Sequence, residues 1–114
     1  MDNQDTTPQW KFESDDDKLL GIETIHYDNG SICKRCKLSD GRMAQARRLK
    51  GTDATEIRRL TGNDENKYQL AIAAVCLTID EKKLTPEEIG ELWLDDNTKV
   101  MILAAINFPS PQTS

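Results

Sequence analysis

Aromatic residues are nearly missing from this chain. Two Trp, two Tyr and two Phe are spread over 114 residues, so any core must be built from Leu, Ile, Val and Ala. Histidine occurs once, as His26 beside Tyr27; a lone histidine on a strand is ordinarily structural or exposed. No stretch approaches the ~18 consecutive apolar residues that a transmembrane helix needs. The opening MDNQDTTPQW has neither a basic start nor an apolar run, so no secretory signal is expected. There is no nucleophile elbow, no Gly-rich phosphate loop and no H-E-x-x-H, the short motifs that would announce common catalytic sites. Asp15 to Asp17 fall in an acidic leading segment, and Asp95-Asp96 reads as a helix start. Neither group calls for an acid–base role. The chain is therefore not expected to be an enzyme, and no cofactor or metal is implied.

What is present fits a globular domain. Hydrophobic residues make up 37% and charged residues 31%, the usual balance for such a chain. A length of 114 residues suits one domain, able to close a core without disulfide or metal support. Three cysteines, an odd count without an export signal, point to reduced thiols in a cytoplasm. Charge is unevenly placed. From Lys34 to Arg59 nine Lys/Arg face three acids, a net of +6, so the rest of the −5 chain carries −11. Such asymmetry favours association with another molecule, or with a second copy of the chain.

Along the chain, residues 1–18 carry six acids and little periodicity, and read as a flexible acidic tail. Trp10 and Phe12 within it fit either rings laid on the domain or a short docking peptide. A single α+β domain is expected over 19–108. It opens with a three-stranded antiparallel meander from Leu20 to Leu49, turned at Asp28-Asn29-Gly30 and at Ser39-Asp40-Gly41, both strong hairpin signals. About four helices follow. Thr52 or Asp53 caps one with Ala54, Ile57 and Leu60 on a face, closed by Gly62. A second, roughly 64–79, is apolar almost all round, from Tyr68 through Leu70, Ile72, Val75 and Leu77 to Ile79. Such a helix is either central in its domain or part of an interface. Asp80 to Lys83 reads as a polar turn. Thr85-Pro86-Glu87-Glu88 is a helix start with a capping box and Pro at the first position, and should turn Ile89, Leu92 and Trp93 inward. A last helix begins at Asp95 or Asp96 and packs Val100, Leu103, Ala104 and Ile106. Phe108 precedes Pro109, and 109–114 reads as a disordered tail.

Cys33-x-x-Cys36 invites a zinc or redox reading. A zinc site needs a second ligand pair, and only Cys76, inside an apolar run, and His26 remain. If Ser31 to Leu38 is a strand, an odd offset places Cys33 and Cys36 on opposite faces. Ile32, Cys36 and Leu38 then share a core face, with Lys34 the exception. Thioredoxin-type motifs open a helix, and nothing helical follows Cys36. Cys76 reads as a small buried apolar residue. The basic stretch also invites a nucleic-acid reading, but no aromatic lies between Tyr27 and Tyr68 to stack on bases, and the chain is acidic overall.

A longer pattern runs through the second half: Ser39-Asp40-Gly41 between two strands, Arg48-Leu49, Gly51-Thr52-Asp53, the apolar Ala71 to Ile79, Leu84-Thr85-Pro86-Glu87, and Leu94-Asp95. In order and spacing, residues 36–108 resemble the small tail assembly chaperones of long-tailed bacteriophages. The resemblance implies a non-catalytic protein that coats the tape-measure protein and helps recruit tail-tube subunits. It implies action in the cytoplasm of the bacterial host and absence from the mature virion. Candidate partner-binding residues are the apolar Ile72, Val75, Leu77, Ile102, Leu103 and Phe108, shared between core and interface, and the basic Arg47, Arg48, Arg58 and Arg59. A homo-oligomer is a further expectation. Two other readings stay open: a phage structural or head–tail adaptor protein, and a small metal- or nucleic-acid-binding regulator.

Overall fold

The computed structural model describes residues 7–108; the first six residues of the expected acidic tail and the whole of 109–114 lie outside them. The α+β class holds, with more elements than the sequence pattern announces. In chain order they are α1 (Asp15–Leu20), β1 (Glu23–His26), β2 (Ile32–Lys37), β3 (Met43–Arg47), α2 (Ala54–Thr61), α3 (Tyr68–Cys76), β4 (Leu77–Ile79), β5 (Lys82–Lys83), α4 (Pro86–Gly90) and α5 (Leu94–Ala104). The strands form one antiparallel sheet in the order β1-β2-β3-β4-β5. The expected three-stranded meander is its first part; α2 to α5 stand for the about four helices expected after it, and α1, within the expected tail, brings the helices among the described residues to five.

Both hairpin turns fall where expected. Gly30 and Gly41 adopt φ of 89° and 90°, a conformation that a side chain would strain. Asn29 and Asp40 each accept a backbone N–H two residues ahead, from Ser31 and Arg42. The capping box at α4 also forms. Thr85 Oγ1 accepts from Glu88 N at 3.1 Å, and Glu88 Oε1 accepts from Thr85 N at 2.9 Å.

The expected helix over 64–79 is corrected at both ends. A 3-10 turn, Glu65–Lys67, precedes α3, and the helix stops at Cys76. Leu77 switches directly to extended backbone and begins β4, which pairs with β3. Two causes act together. Thr78 and Ile79 are β-branched and suit a strand, and β3 would otherwise present an unpaired edge. The expected polar turn 80–83 is a tight hairpin from β4 to β5. Asp80 and Glu81 have φ of 50° and 68°, the two-positive-φ loop usual for short hairpins. Asp80 is held there by two bonds to the start of β3, donating from its N to Met43 O and accepting from Met43 N at its Oδ1.

The core lies between one sheet face and the helices. Ile22, Cys36, Leu38, Ala44, Ala46, Leu77 and Ile79 come from the sheet side; Ala73, Ala74, Cys76, Ile89, Val100, Leu103 and Ala104 come from α3, α4 and α5. Alanines at the centre let helix and sheet backbones approach closely, so packing density is kept without aromatics. Helix α5 is pinned at both ends. Near its start, buried Asp96 accepts from Ser39 N at 2.9 Å and from Ser39 Oγ at 2.7 Å. Beyond its end, Asn107 accepts from Leu49 N and donates to Arg47 O, both at 2.8 Å. These bonds set how α5 lies along the β2–β3 hairpin.

Candidate docking groove between the first and last helices

The sequence-derived candidates separate sharply by burial. Ile72, Val75, Leu77 and Leu103 are all buried in the core, so none of them offers surface to a partner in this fold. The helix apolar all round is central in its domain: Ala71 to Cys76 are buried without a break. Phe108 is half-buried and packs against the core. Of the six apolar candidates, Ile102 lines the apolar groove described below, and the buried Val75 reaches only the floor of a smaller, more polar recess beside Leu60 and Leu84.

The basic candidates are mostly engaged within the chain. Arg47 makes a two-pronged contact with Asp53, at 3.0 and 3.2 Å. That contact, more than the bond from Lys50 N, holds the Asp53 carboxyl below its ordinary value of 3.8. Asp53 is thereby turned to Arg47 and Lys50, and makes no side-chain cap on α2. Arg48 donates to Gly30 O, and Arg59 pairs with Glu56 one turn away. Arg58 is exposed. The acidic leading segment likewise meets the basic hairpin of its own chain. Glu13 bonds His26 of β1, and Asp17 lies 3.8 Å from Lys34 of β2; within the sheet, Glu23 of β1 accepts from Arg35 of β2 at 3.1 Å. Part of the charge asymmetry in the sequence is therefore satisfied inside the molecule.

Cys33 and Cys36 stand on β2 at an odd offset, opposite Arg47 and Ala44 of β3 respectively. Cys36 is buried on the core face, and Cys33 is half-buried on the other. Burial raises both thiols and pushes Cys76 up to about 11, so all three are predominantly protonated at neutral pH. Lys34, the exception on the core face, leans to Asp17 of α1.

A further apolar surface lies elsewhere. Trp93, expected to point inward, is 79% exposed, and its neighbour Leu94 is 81% exposed. The chain leaves α4 at Gly90 and starts α5 at Leu94, with Trp93 O accepting from Asn97 N at 2.7 Å. Asn97 also donates to Ile89 O at 2.9 Å. The backbone is thus tied down while the indole stays outside.

Leu94, Thr98 and Ile102 follow at four-residue spacing along the outer face of α5. The opposite face buries Asp96, Val100, Leu103 and Ala104. Leu20 of α1 forms a further wall, and a groove of about 720 Å3 results. Asp95 and Lys99 line it as well, one charge of each sign, so orientation rather than net charge is what the rim offers a ligand. Next to Leu20, Leu19 is 84% exposed.

Sequence reasoning overlooked Leu19, Leu20, Trp93 and Leu94 as site residues. One signal was present. Val100 to Ala104 is a run of five apolar residues on a helix, and one helix face cannot bury a continuous run, so part of it has to face outward. Chemically, the groove can take large apolar side chains. Burying one leucine- or tryptophan-sized group contributes about 1.5–3 kcal/mol. No family model, no curated protein and no solved structure matches the chain, so the groove is read from its own geometry.

Proposed function

We propose that this chain is a non-catalytic tail assembly chaperone of a long-tailed phage or prophage, which holds the tape-measure protein in the host cytoplasm, helps recruit tail-tube subunits, and leaves before the virion is complete. Two things support the reading. The ordered motifs from Ser39 to Asp95 resemble that family, and Trp93 and Leu94 stand exposed beside Leu20 and Ile102. The second carries the argument. Large apolar side chains in the open have no role in the fold of an isolated chain, whereas a holdase works by offering such surface in competition with self-association of its client. The interface is accordingly assigned to the groove and not to α3, whose apolar residues are spent on the core.

Co-expression with fragments of a tape-measure protein tests this. The wild-type chain should raise the soluble yield of a fragment and co-purify with it. The double variant Trp93→Ser, Leu94→Ser should keep its fold and lose both effects. Failure of the wild-type chain to change solubility or to co-purify would overturn the assignment. Its presence in purified particles would point to a structural adaptor instead.

A further inference from the structure

We propose that residues 7–20 form a detachable strap whose docking completes the apolar groove, so that strap docking and groove occupancy are coupled. The inference rests on reading the groove as the binding site and concerns how that site is controlled.

The strap is held almost entirely by polar contacts with the sheet. It pairs with β1 through one residue: Lys11 N donates to Thr24 O at 3.0 Å, and Thr24 N to Lys11 O at 2.8 Å. The Arg35 guanidinium lies 4.1 Å from the Trp10 ring centre, close enough for a cation–π contact. Glu13 bonds His26, and Asp17 faces Lys34 at 3.8 Å, both partners of the latter pair mostly shielded from solvent. Ser14 caps α1, accepting from Asp17 N at 3.0 Å. None of the residues of α1 is buried. A segment with few buried apolar contacts belongs to the low-stability end of a fold, where local opening precedes global unfolding.

The groove depends on this segment because Leu20, the last residue of α1, lines it together with Trp93, the residue before α5, and with Leu94 and Ile102 of the firmly pinned α5. One wall is therefore rigid and the other can leave. By linkage, a ligand that touches Leu20 must favour the docked strap by the same factor as the docked strap favours the ligand.

The probe is Nile red, an uncharged apolar dye, with hydrogen exchange read at the amides of α1 and of α3. In the wild-type chain, saturating dye should slow exchange in α1 severalfold and leave α3 unchanged. Lys34→Gln, which removes the partner of Asp17, should raise α1 exchange and weaken dye binding, each severalfold. Trp10→Ala should do the same by a different contact, which covers the case in which the first variant folds poorly. Trp93→Ser should weaken dye binding while α1 exchange in the free protein stays as in wild type. Dye binding that leaves α1 exchange unchanged overturns the coupling. So does a strap variant that exchanges faster yet binds dye equally well, or one whose exchange does not rise. Absence of dye binding to the wild-type chain also overturns it, while tape-measure co-purification judges the proposed function separately.

Discussion

Two apolar stretches in this molecule have opposite fates. Ala71 to Cys76 of α3 is buried along its whole length, enclosed by the sheet and by α2, α4 and α5. Trp93-Leu94, beyond β4, β5 and α4 in the chain and also apolar, stands in the open. The difference does not come from the side chains themselves. It comes from what the rest of the chain brings alongside. Helix α3 sits where four elements converge. Trp93 sits at the seam between α4 and α5, where Asn97 and Asp96 anchor the backbone to Ile89 and Ser39 and nothing from the described residues encloses the indole. Apolar character states how much surface wants cover; position in the fold decides whether this chain or another supplies it.

Substitutions on the two sides sharpen that contrast. The largest loss is expected in the core. Leu103→Ala, at a fully buried position, should cost about 2–5 kcal/mol by the combined transfer and cavity terms. A lower urea midpoint with an unchanged slope is the signature. Next comes the anchor. Asp96→Ala removes a buried acceptor of two bonds from Ser39, and about 1.5–3 kcal/mol should be lost. Because it frees the start of α5, it should also weaken Nile red binding, which Leu103→Ala in a still-folded population should not.

Acid should have a smaller effect, with a definite sign. The Asp53 carboxyl is held below 3.8 chiefly by Arg47, and the Glu13 carboxyl below 4.5 chiefly by its bond to His26. Each group contributes stability above its unfolded value, and that stability is lost as pH falls through the folded one. On acidification below about pH 4 urea midpoints should therefore drop through Asp53, and strap exchange should rise through Glu13. Arg47→Gln should flatten the drop for the domain, whereas removal of His26 should change only strap exchange. The smallest effect on stability is expected at the groove. Trp93→Ser should stay within about 0.5 kcal/mol of wild type while abolishing client co-purification. A destabilisation as large as that of Leu103→Ala would mean that the indole is a core residue after all, and would dissolve the comparison.

Much of the fold was legible because its causes are local. Asn29-Gly30 and Asp40-Gly41 turn the chain by their own backbone preferences, and Thr85-Pro86-Glu87-Glu88 starts a helix with bonds that span three residues. The opposite faces of Cys33 and Cys36 follow from strand parity alone. The β4–β5 hairpin was not legible. Leu77–Ile79 continues an apolar run without Gly or Pro, and its strand state depends on pairing with β3, more than thirty residues earlier. The docking of residues 7–18, read as tail, was hidden for a similar reason, since Lys11, Glu13 and Asp17 find their partners across the sheet.

By itself, the sequence determined the class, the first two hairpins, the start of α4 and the lack of a recognisable catalytic motif, since these rest on dihedral preferences, caps and chemistry carried by neighbouring residues. Only the tertiary structure decided which apolar residues are core and which are surface. It turned Ile72, Val75, Leu77 and Leu103 inward, left Trp93 and Leu94 outside, and set Leu20 in one groove with Ile102. The hydrophobic effect is non-directional, so a leucine accepts cover from any part of the chain, and only the assembled molecule shows which part arrives.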